Sequence, residues 1–353
     1  MNTLKNFYAG IAAVPAATAW YLADLGESRG KQDLFVRQAP QKMRALREHA
    51  LIESAVSSNR MEGIEIDRRR VGTIIFGKLP LRDRNEEEVR GYRDALKIIH
   101  ESTARLPVSL KTVLDLHRLC RSGTGDAGKL KKKEGDIIEK YPDGRVRIRF
   151  KTVSPKQTKP FMKELISLYD RCLEEKAIHP LICLASFNLD FLCIHPFRDG
   201  NGRLSRLLLL LQCYQLGYDV GRYISLERLI EENKERYYET LEQSSAGWHE
   251  GKHNPWPYIN YLLFVIKSAY KEFESRLGQI KSPRGTKTQM IEAALDRFRE
   301  SFSLSQLEDA CPGVSRDMIR TTLRKLQEKG IVECLGRGPG AAWRKKGNTF
   351  KRG

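Results

Sequence analysis

Apolar positions recur at threes and fours along most of this 353-residue chain, a period that predicts a mainly α-helical protein. From Gln41, the residues Met43, Leu46, Ala50, Ile52, Ala55 and Val56 mark a helix of about 41–63 that stops at Gly63, the residue type expected just past a helix end. Gly72, Gly77 and Pro80 punctuate a connection over 71–81. Further helices are expected at Glu86–His100, Ser109–Cys120, Lys159–Lys176 and Leu181–Ile194, the last apolar nearly all round and therefore central to a core. His117, on the second of these, is read as a core or capping residue. Glu227–Gln243 reads as one polar helix carrying the pair Tyr237-Tyr238, and Trp256–Leu277 as a long amphipathic one.

Two regions break this period. Asp136–Lys140 and Val146–Phe150 alternate apolar and charged residues around Pro142-Asp143-Gly144, a β-hairpin signal. The lysine-rich run of residues 128–133 just before it reads as a solvated basic stretch. After a linker at Lys281-Ser282-Pro283-Arg284-Gly285 comes a compact pattern: a helix with Met290, Ile291, Ala294, Leu295 and Phe298, a short one at Ser303–Ala310, a turn at Pro312-Gly313, and a third helix capped by Ser315. Ile331–Leu335, Gly336-Arg337-Gly338-Pro339-Gly340 and Ala341–Arg344 then read as strand, wing and strand. The segment 285–347 resembles a winged helix-turn-helix domain, which implies that Arg316, Arg320 and Arg324 on the third helix would face a DNA groove.

The chemistry is concentrated in His195-Pro196-Phe197-Arg198-Asp199-Gly200-Asn201-Gly202-Arg203-Leu204-Ser205-Arg206. The leucine run 207–211 places the start of a buried helix near Gly202. Two glycines at its mouth allow close backbone approach to a ligand, and the N–H groups of a helix start attract phosphate. Arg203 and Arg206 can neutralise phosphate charge, Asp199 can hold a hard divalent cation, and His195 can take a proton from an incoming hydroxyl.

This string matches His-x-Phe-x-(Asp/Glu)-Gly-Asn-Gly-Arg-x-x-Arg at every fixed position and resembles the signature of the Fic family, which transfers AMP from ATP to protein hydroxyls. The resemblance implies a Fic-type helical core over 106–250, behind an N-terminal helical region at 1–105 and followed by a connecting helix at 255–280. His195 becomes the base, Gly200 to Arg206 the ATP-binding stretch, with Asn201 orienting the α-phosphate, and Asp199 the ligand of Mg2+ or Mn2+. Tyr237 and Tyr238 would lie near the adenosine. The hairpin becomes a target-binding flap of Arg145, Val146, Arg147, Ile148, Arg149, Phe150, Lys151 and Thr152, registering an extended target segment by strand addition. Ser58-Asn59-Arg60-Met61-Glu62-Gly63 looks like the family's (Ser/Thr)-x-x-x-Glu-(Gly/Asn) inhibitory motif. It implies that Ser58, Glu62 and Gly63 inhibit the site, Glu62 by pairing with Arg206.

Composition narrows the partners without choosing among them. A net charge of +18, from 62 Lys and Arg against 44 Asp and Glu, favours nucleotides, nucleic acid or acidic protein surfaces. Between Lys281 and Gly353 there are 16 basic and 8 acidic residues, so this segment is itself net +8. Seven cysteines without a Cys-x-x-Cys pair argue against zinc and a disulfide framework and for a reducing compartment. Phe7–Trp20 faintly imitates a signal peptide, but its weak, alanine-rich apolar region leaves a soluble, cytoplasmic protein as the expectation. The expected activity is AMP transfer to Ser, Thr or Tyr of a target protein or of the chain itself. Removal of AMP from a modified protein, transfer of another phosphate-linked group, and a DNA-binding regulator that senses ATP through the Fic core are the rival readings. A homodimer contact that tunes inhibition stays open.

Overall fold

The computed structural model describes residues 2–346 apart from 11–12, 39, 78–79, 141–142, 279–285, 296–297, 299, 312–313 and 337–340. The linker at 281–285, the Pro312-Gly313 turn, Pro142 of the hairpin turn and wing residues 337–340 lie outside the described residues. In chain order the elements are α1 (Asn2–Tyr8), α2 (Ala16–Gln38), α3 (Pro40–Arg60), α4 (Val71–Phe76), α5 (Arg84–Ser102), α6 (Leu110–Cys120), β1 (Ile137–Lys140), β2 (Val146–Phe150), α7 (Pro155–Glu174), α8 (Pro180–Ile194), α9 (Asn201–Gln215), α10 (Leu226–Glu232), α11 (Lys234–Ser245), α12 (Trp256–Gly278), α13 (Thr286–Leu295), β3 (Phe302–Ser303), α14 (Leu304–Asp309), α15 (Arg316–Glu328), β4 (Val332–Cys334) and β5 (Ala342–Lys345). The protein is mainly helical, as its period predicts.

The chain divides into two units, Met1–Ser275 and Arg276–Gly353. The N-terminal helical region and the signature-bearing core therefore form one unit rather than two. At its centre is α8, buried from Leu181 to Ile194 and packed between α7 and α9, with Pro180 at its first turn where a missing N–H costs nothing. Its polar residues are matched: Asp190 accepts the amides of Thr3 and Leu4 and the indole N–H of Trp248, and Asn188 donates to the Ser205 carbonyl. Thus α1 is sewn to the core by a buried carboxylate. Side-chain caps fix where other helices start: Asp83 accepts the Glu86 amide for α5, Ser109 that of Thr112 for α6, and Ser225 that of Arg228 for α10.

Helix α3 lies on α5 and α10. It is held there by polar contacts: the Ser54 hydroxyl donates to Glu227 (2.7 Å), Arg60 pairs with Glu231 (2.7 Å) and Glu53 with Arg228 (3.3 Å). The β1–β2 hairpin is antiparallel, Ile138 opposite Ile148 and Lys140 opposite Val146, with an irregularity between Ile137 and Ile138.

Two expectations are corrected here. The connection over 71–81 contains the helix α4, because Ile74 and Ile75 bury themselves and the Arg90 guanidinium gathers the carbonyls of Thr73, Ile74 and Gly77 at its end. The single helix expected at Glu227–Gln243 is two, broken at Asn233, whose side chain donates to the Leu229 carbonyl.

In the second unit α13, α14 and α15 surround a core of Ile291, Leu307, Ile319, Leu323 and Leu326, backed by a three-stranded sheet in the order β3-β5-β4. A capping box between Ser303 and Gln306 starts α14.

Candidate active site

The site begins where α8 stops. His195 takes a left-handed backbone (φ 52°), which turns the chain sharply out of the helix while its amide still bonds to the Phe191 carbonyl. Its Nδ1 lies 3.3 Å from the Leu192 carbonyl, so the neutral ring carries its proton there and keeps the Nε2 lone pair as the acceptor. Burial first, then the charge of Lys131, pushes the imidazole down to about 4, against smaller opposing effects of the Leu192 carbonyl, Glu62 and Asp199. The ring is therefore uncharged at neutral pH, the state a proton acceptor needs.

The loop from Pro196 to Gly200 is built from its own side chains. Phe197 stacks on His117 with ring centroids 3.7 Å apart, and His117 bonds through Nε2 to the Asp199 carbonyl while its Nδ1 accepts the Gly128 amide. His117 is a loop support, in keeping with its sequence reading. Asn201 accepts the Phe197 amide and donates to the Phe197 carbonyl. The amide thereby closes the loop on itself, with one N–H of its NH2 group left over for a ligand. Gly200 stands at φ 82°, a conformation that strains any residue with a Cβ, and opens α9. At Gly202 a Cβ would collide with Glu62 Oε1. The first amides of α9 are left without helical acceptors, the usual basis of a phosphate cradle. Leu204 does not belong among them, since it is fully buried and its amide bonds to the Gly200 carbonyl. Ser205 is likewise buried and donates to the Gly202 carbonyl.

The two signature arginines are buried and separately paired. Arg203 meets Glu88 and Asn59 (3.2 Å), and Glu88 also pairs with Arg121 (2.8 Å) and Arg84 (2.8 Å). Burial alone would raise Glu88, but Arg203, Arg84 and Arg121 hold it below the usual carboxylate range. Arg206 donates to Ser58 Oγ (2.8 Å), the Ser58 carbonyl (2.9 Å) and Glu62 Oε1 (2.8 Å). Gly63, at φ 77°, ends the segment that aims Glu62 inward.

Asp199 is half-exposed and pairs with Arg121 (2.9 Å). Among the described residues no group of three or more metal-ligating side chains exists. A lone accessible carboxylate beside a phosphate cradle nevertheless suits Mg2+ or Mn2+, which take one or two carboxylates and complete their shell with phosphates and water.

The tyrosine pair divides. Tyr237 is buried against Tyr258 and Tyr261, Tyr238 is half-buried, and both lie close enough to Glu62 and Arg206 to feel their charges. The flap is carried by β2: Arg147 and Arg149 pair with Glu242 of α11, Phe150 stacks on His249, and Val146 and Ile148 are exposed.

Sequence reasoning missed Glu88, Arg121, Asn59 and Lys131. Glu88 had a signal, since it stands four residues before Tyr92 and seven before Ala95 on the buried stripe of α5, where a carboxylate needs partners. Lys131 corrects the reading of its run as solvated: it is buried while Lys129, Lys132 and Lys133 are exposed.

The sequence model of the Fic/DOC family matches residues 107–213. The chain is 24% identical over 213 residues to the protein adenylyltransferase Fic of Nematostella vectensis, covering 58% of this chain and 45% of that protein. It is 25% identical over 221 residues to the protein adenylyltransferase fic-1 of Caenorhabditis briggsae, covering 61% and 38%. The matches thus span less than half the length of these relatives. In fold it resembles a Fic family protein from Desulfovibrio desulfuricans G20 (TM-score 0.62, 21% identity, 96% of this chain and 99% of that one). Fic-1 from C. elegans is also similar (TM-score 0.58, 18% identity, 74% of each chain). With the signature loop, the helical core around it and these likenesses in hand, residues 107–213 of this chain are a Fic domain of the Fic/DOC family.

Proposed function

We propose that this protein is a protein adenylyltransferase that moves AMP from ATP to a Ser, Thr or Tyr hydroxyl of a target protein or of itself, and that it is held inactive by Glu62. The observation that carries the reading is the neutral His195 at the rim of an α9 helix mouth whose Arg206 is occupied by Glu62.

The triphosphate lies on the free amides of α9, with Arg203 and Arg206 neutralising its β- and γ-phosphates. His195 Nε2 removes the target hydroxyl proton, the oxygen attacks the α-phosphorus in line, and the bond to the bridging oxygen breaks to release pyrophosphate. Asp199 would hold Mg2+ or Mn2+, which when bound adds charge neutralisation at the phosphates. Catalysis is then mainly positioning and charge stabilisation. The Glu62 carboxylate takes the Arg206 donors that the γ-phosphate needs, so ATP is seated unproductively until α3 releases it.

The test is incubation of the full chain with ATP labelled at the α- or γ-phosphate, followed by mass spectrometry. Glu62→Gly should gain α-label and His195→Ala in that background should lose it while still binding ATP. Gain of γ-label instead would point to phosphorylation, and release of AMP from a premodified target to the reverse reaction.

A second reading concerns the second unit, as a winged helix-turn-helix that contacts DNA. It is favoured by Arg316, Arg320 and Arg324, all exposed on α15 and spaced four residues apart along one stripe beside the buried Ile319, Leu323 and Leu326. A salt-dependent duplex shift that survives Arg320→Ala with Arg324→Ala would remove it.

A further inference from the structure

Lys131 is 6% exposed, and its ammonium is embedded between two parts of the site. Its Nζ donates to Thr152 Oγ1 (2.8 Å) at the base of the flap and to the carbonyl of Ile194 (3.2 Å), the residue immediately before His195. Its own amide donates to the carbonyl of Pro196, the residue immediately after (2.9 Å). Thr152 is in turn tied to Gly135 and Asp136 at the start of the hairpin. Among the described residues no carboxylate lies within ion-pair distance of the ammonium, so a buried cation stands beside the base with neutral oxygens as its hydrogen-bond partners. A buried cation lacking a counterion is expensive and calls for a function.

We propose that Lys131 is a positioning residue for the transfer reaction, its buried ammonium pinning Thr152 of the flap to the Ile194 carbonyl while its backbone amide holds the Pro196 carbonyl, so that the strand and the backbone on both sides of His195 keep one geometry. The inference deepens the adenylyl-transfer reading and rests on it. Three charged groups act on His195: Lys131 opposes a proton on the ring, whereas Glu62 from α3 and Asp199 from the signature loop favour one. Lys131 is itself pulled down to about 8, by burial above all, with Asp136 and Glu134 of the following segment opposing. It therefore carries its charge across the acidic and neutral range in which His195 must stay unprotonated. After proton transfer the same charge presses the imidazolium to give its proton away.

The experiment uses the full chain with Lys131→Met, Lys131→Gln, Lys131→Arg and Thr152→Val. An NMR titration of the His195 ring without nucleotide reads the charge effect apart from any activity. In Lys131→Met and Lys131→Gln the midpoint should rise from about 4 by more than about one pH unit, and in Lys131→Arg it should stay low. In the Glu62→Gly background the ratio of labelling at pH 5 to that at pH 8 should fall roughly twofold or more in Lys131→Met and recover in Lys131→Arg. Thr152→Val keeps the ammonium but cuts one tether, and should leave the midpoint low while slowing target labelling about fivefold. A His195 midpoint that does not move in either folded neutral variant overturns the proposal. If neither neutral variant folds, unchanged labelling by Thr152→Val overturns it. Absence of all labelling in Glu62→Gly sinks the transfer reading instead, and the titration still decides the effect of Lys131 on the ring.

Discussion

Arg203 and Arg206 stand three residues apart on the same helix, both almost fully buried and both paired with a glutamate, yet the two pairs are built for different ends. Glu88 is 3% exposed in the middle of the core and is shared among Arg203, Arg121 and Arg84. Glu62 is 26% exposed, lies beyond the last turn of α3, and makes its pair with Arg206 alone among the described residues. One carboxylate belongs to the architecture and cannot leave without stranding buried cations. The other lies past the last turn of a helix that packs on α5 and α10, burying Met43, Ala50 and Ala55 as well as making polar bonds, so Glu62 can withdraw while that packing stays in place. The two pairs differ in burial and in number of partners, not in chemistry, and the proposed regulatory role of Glu62 rests on that difference.

The largest expected effect breaks the first pair. Glu88→Ala leaves Arg203 and Arg121 buried without their shared carboxylate and should cost about 3–5 kcal/mol, lowering the melting temperature by roughly 10 °C, as read by calorimetry. If Glu88→Ala melts with wild type, the contrast between the pairs fails. Next, Glu62→Gly should raise α-label incorporation roughly 10- to 100-fold, the worth of a charge-assisted bond, while melting within about 3 °C of wild type. A large melting shift without gain of label would make Glu62 a second Glu88. Third, Ser58→Ala removes one of the bonds to Arg206 and keeps Glu62, so labelling should rise only about fivefold.

The smallest effect separates the pairs from the rest of the core by pH. Burial, then Arg222 and Arg47, pushes His100 down to about 3, and burial also lowers His117, His179 and His253; His195 lies at about 4. Each binds protons more readily unfolded than folded, so stability is full above about pH 6.5 and falls as pH drops from there toward 4. Glu86, brought down to about 2 chiefly by Arg70, and Glu88 have the opposite relation to their ordinary value. Their contribution is present above about pH 4.5 and is lost only in stronger acid. Melting temperatures between pH 7.5 and 5 should therefore decline, and His100→Gln should remove less than half of that decline, because His195 and three further histidines share it. A decline that steepens only below pH 4.5 would assign acid softening to the carboxylates instead.

Much of this was legible in the residues because it depends on local pattern. The helix over 41–63, the hairpin around Asp143-Gly144, the buried helix leading to His195 and the loop up to Arg206 all follow from period, turn chemistry and a contiguous motif. The splitting of 227–243 at Asn233 was not legible, since the break depends on one side chain turning back to the Leu229 carbonyl. Nor was the difference in burial within Tyr237-Tyr238, because adjacent residues on a helix point in different directions and only the neighbouring α12 shows which is inside. Nor could the sequence show that Asn201 bonds to the backbone of Phe197 four residues back.

The sequence by itself determined the helical class, the hairpin and the signature, since each is written in a short segment whose physics is local. Only the tertiary structure decided that Arg203 meets Glu88, that Glu88 and Arg121 underlie the signature loop, and that Lys131 is buried beside His195. These depend on chain segments separated by tens to more than a hundred residues coming together, and on the low dielectric that their packing creates around a charge.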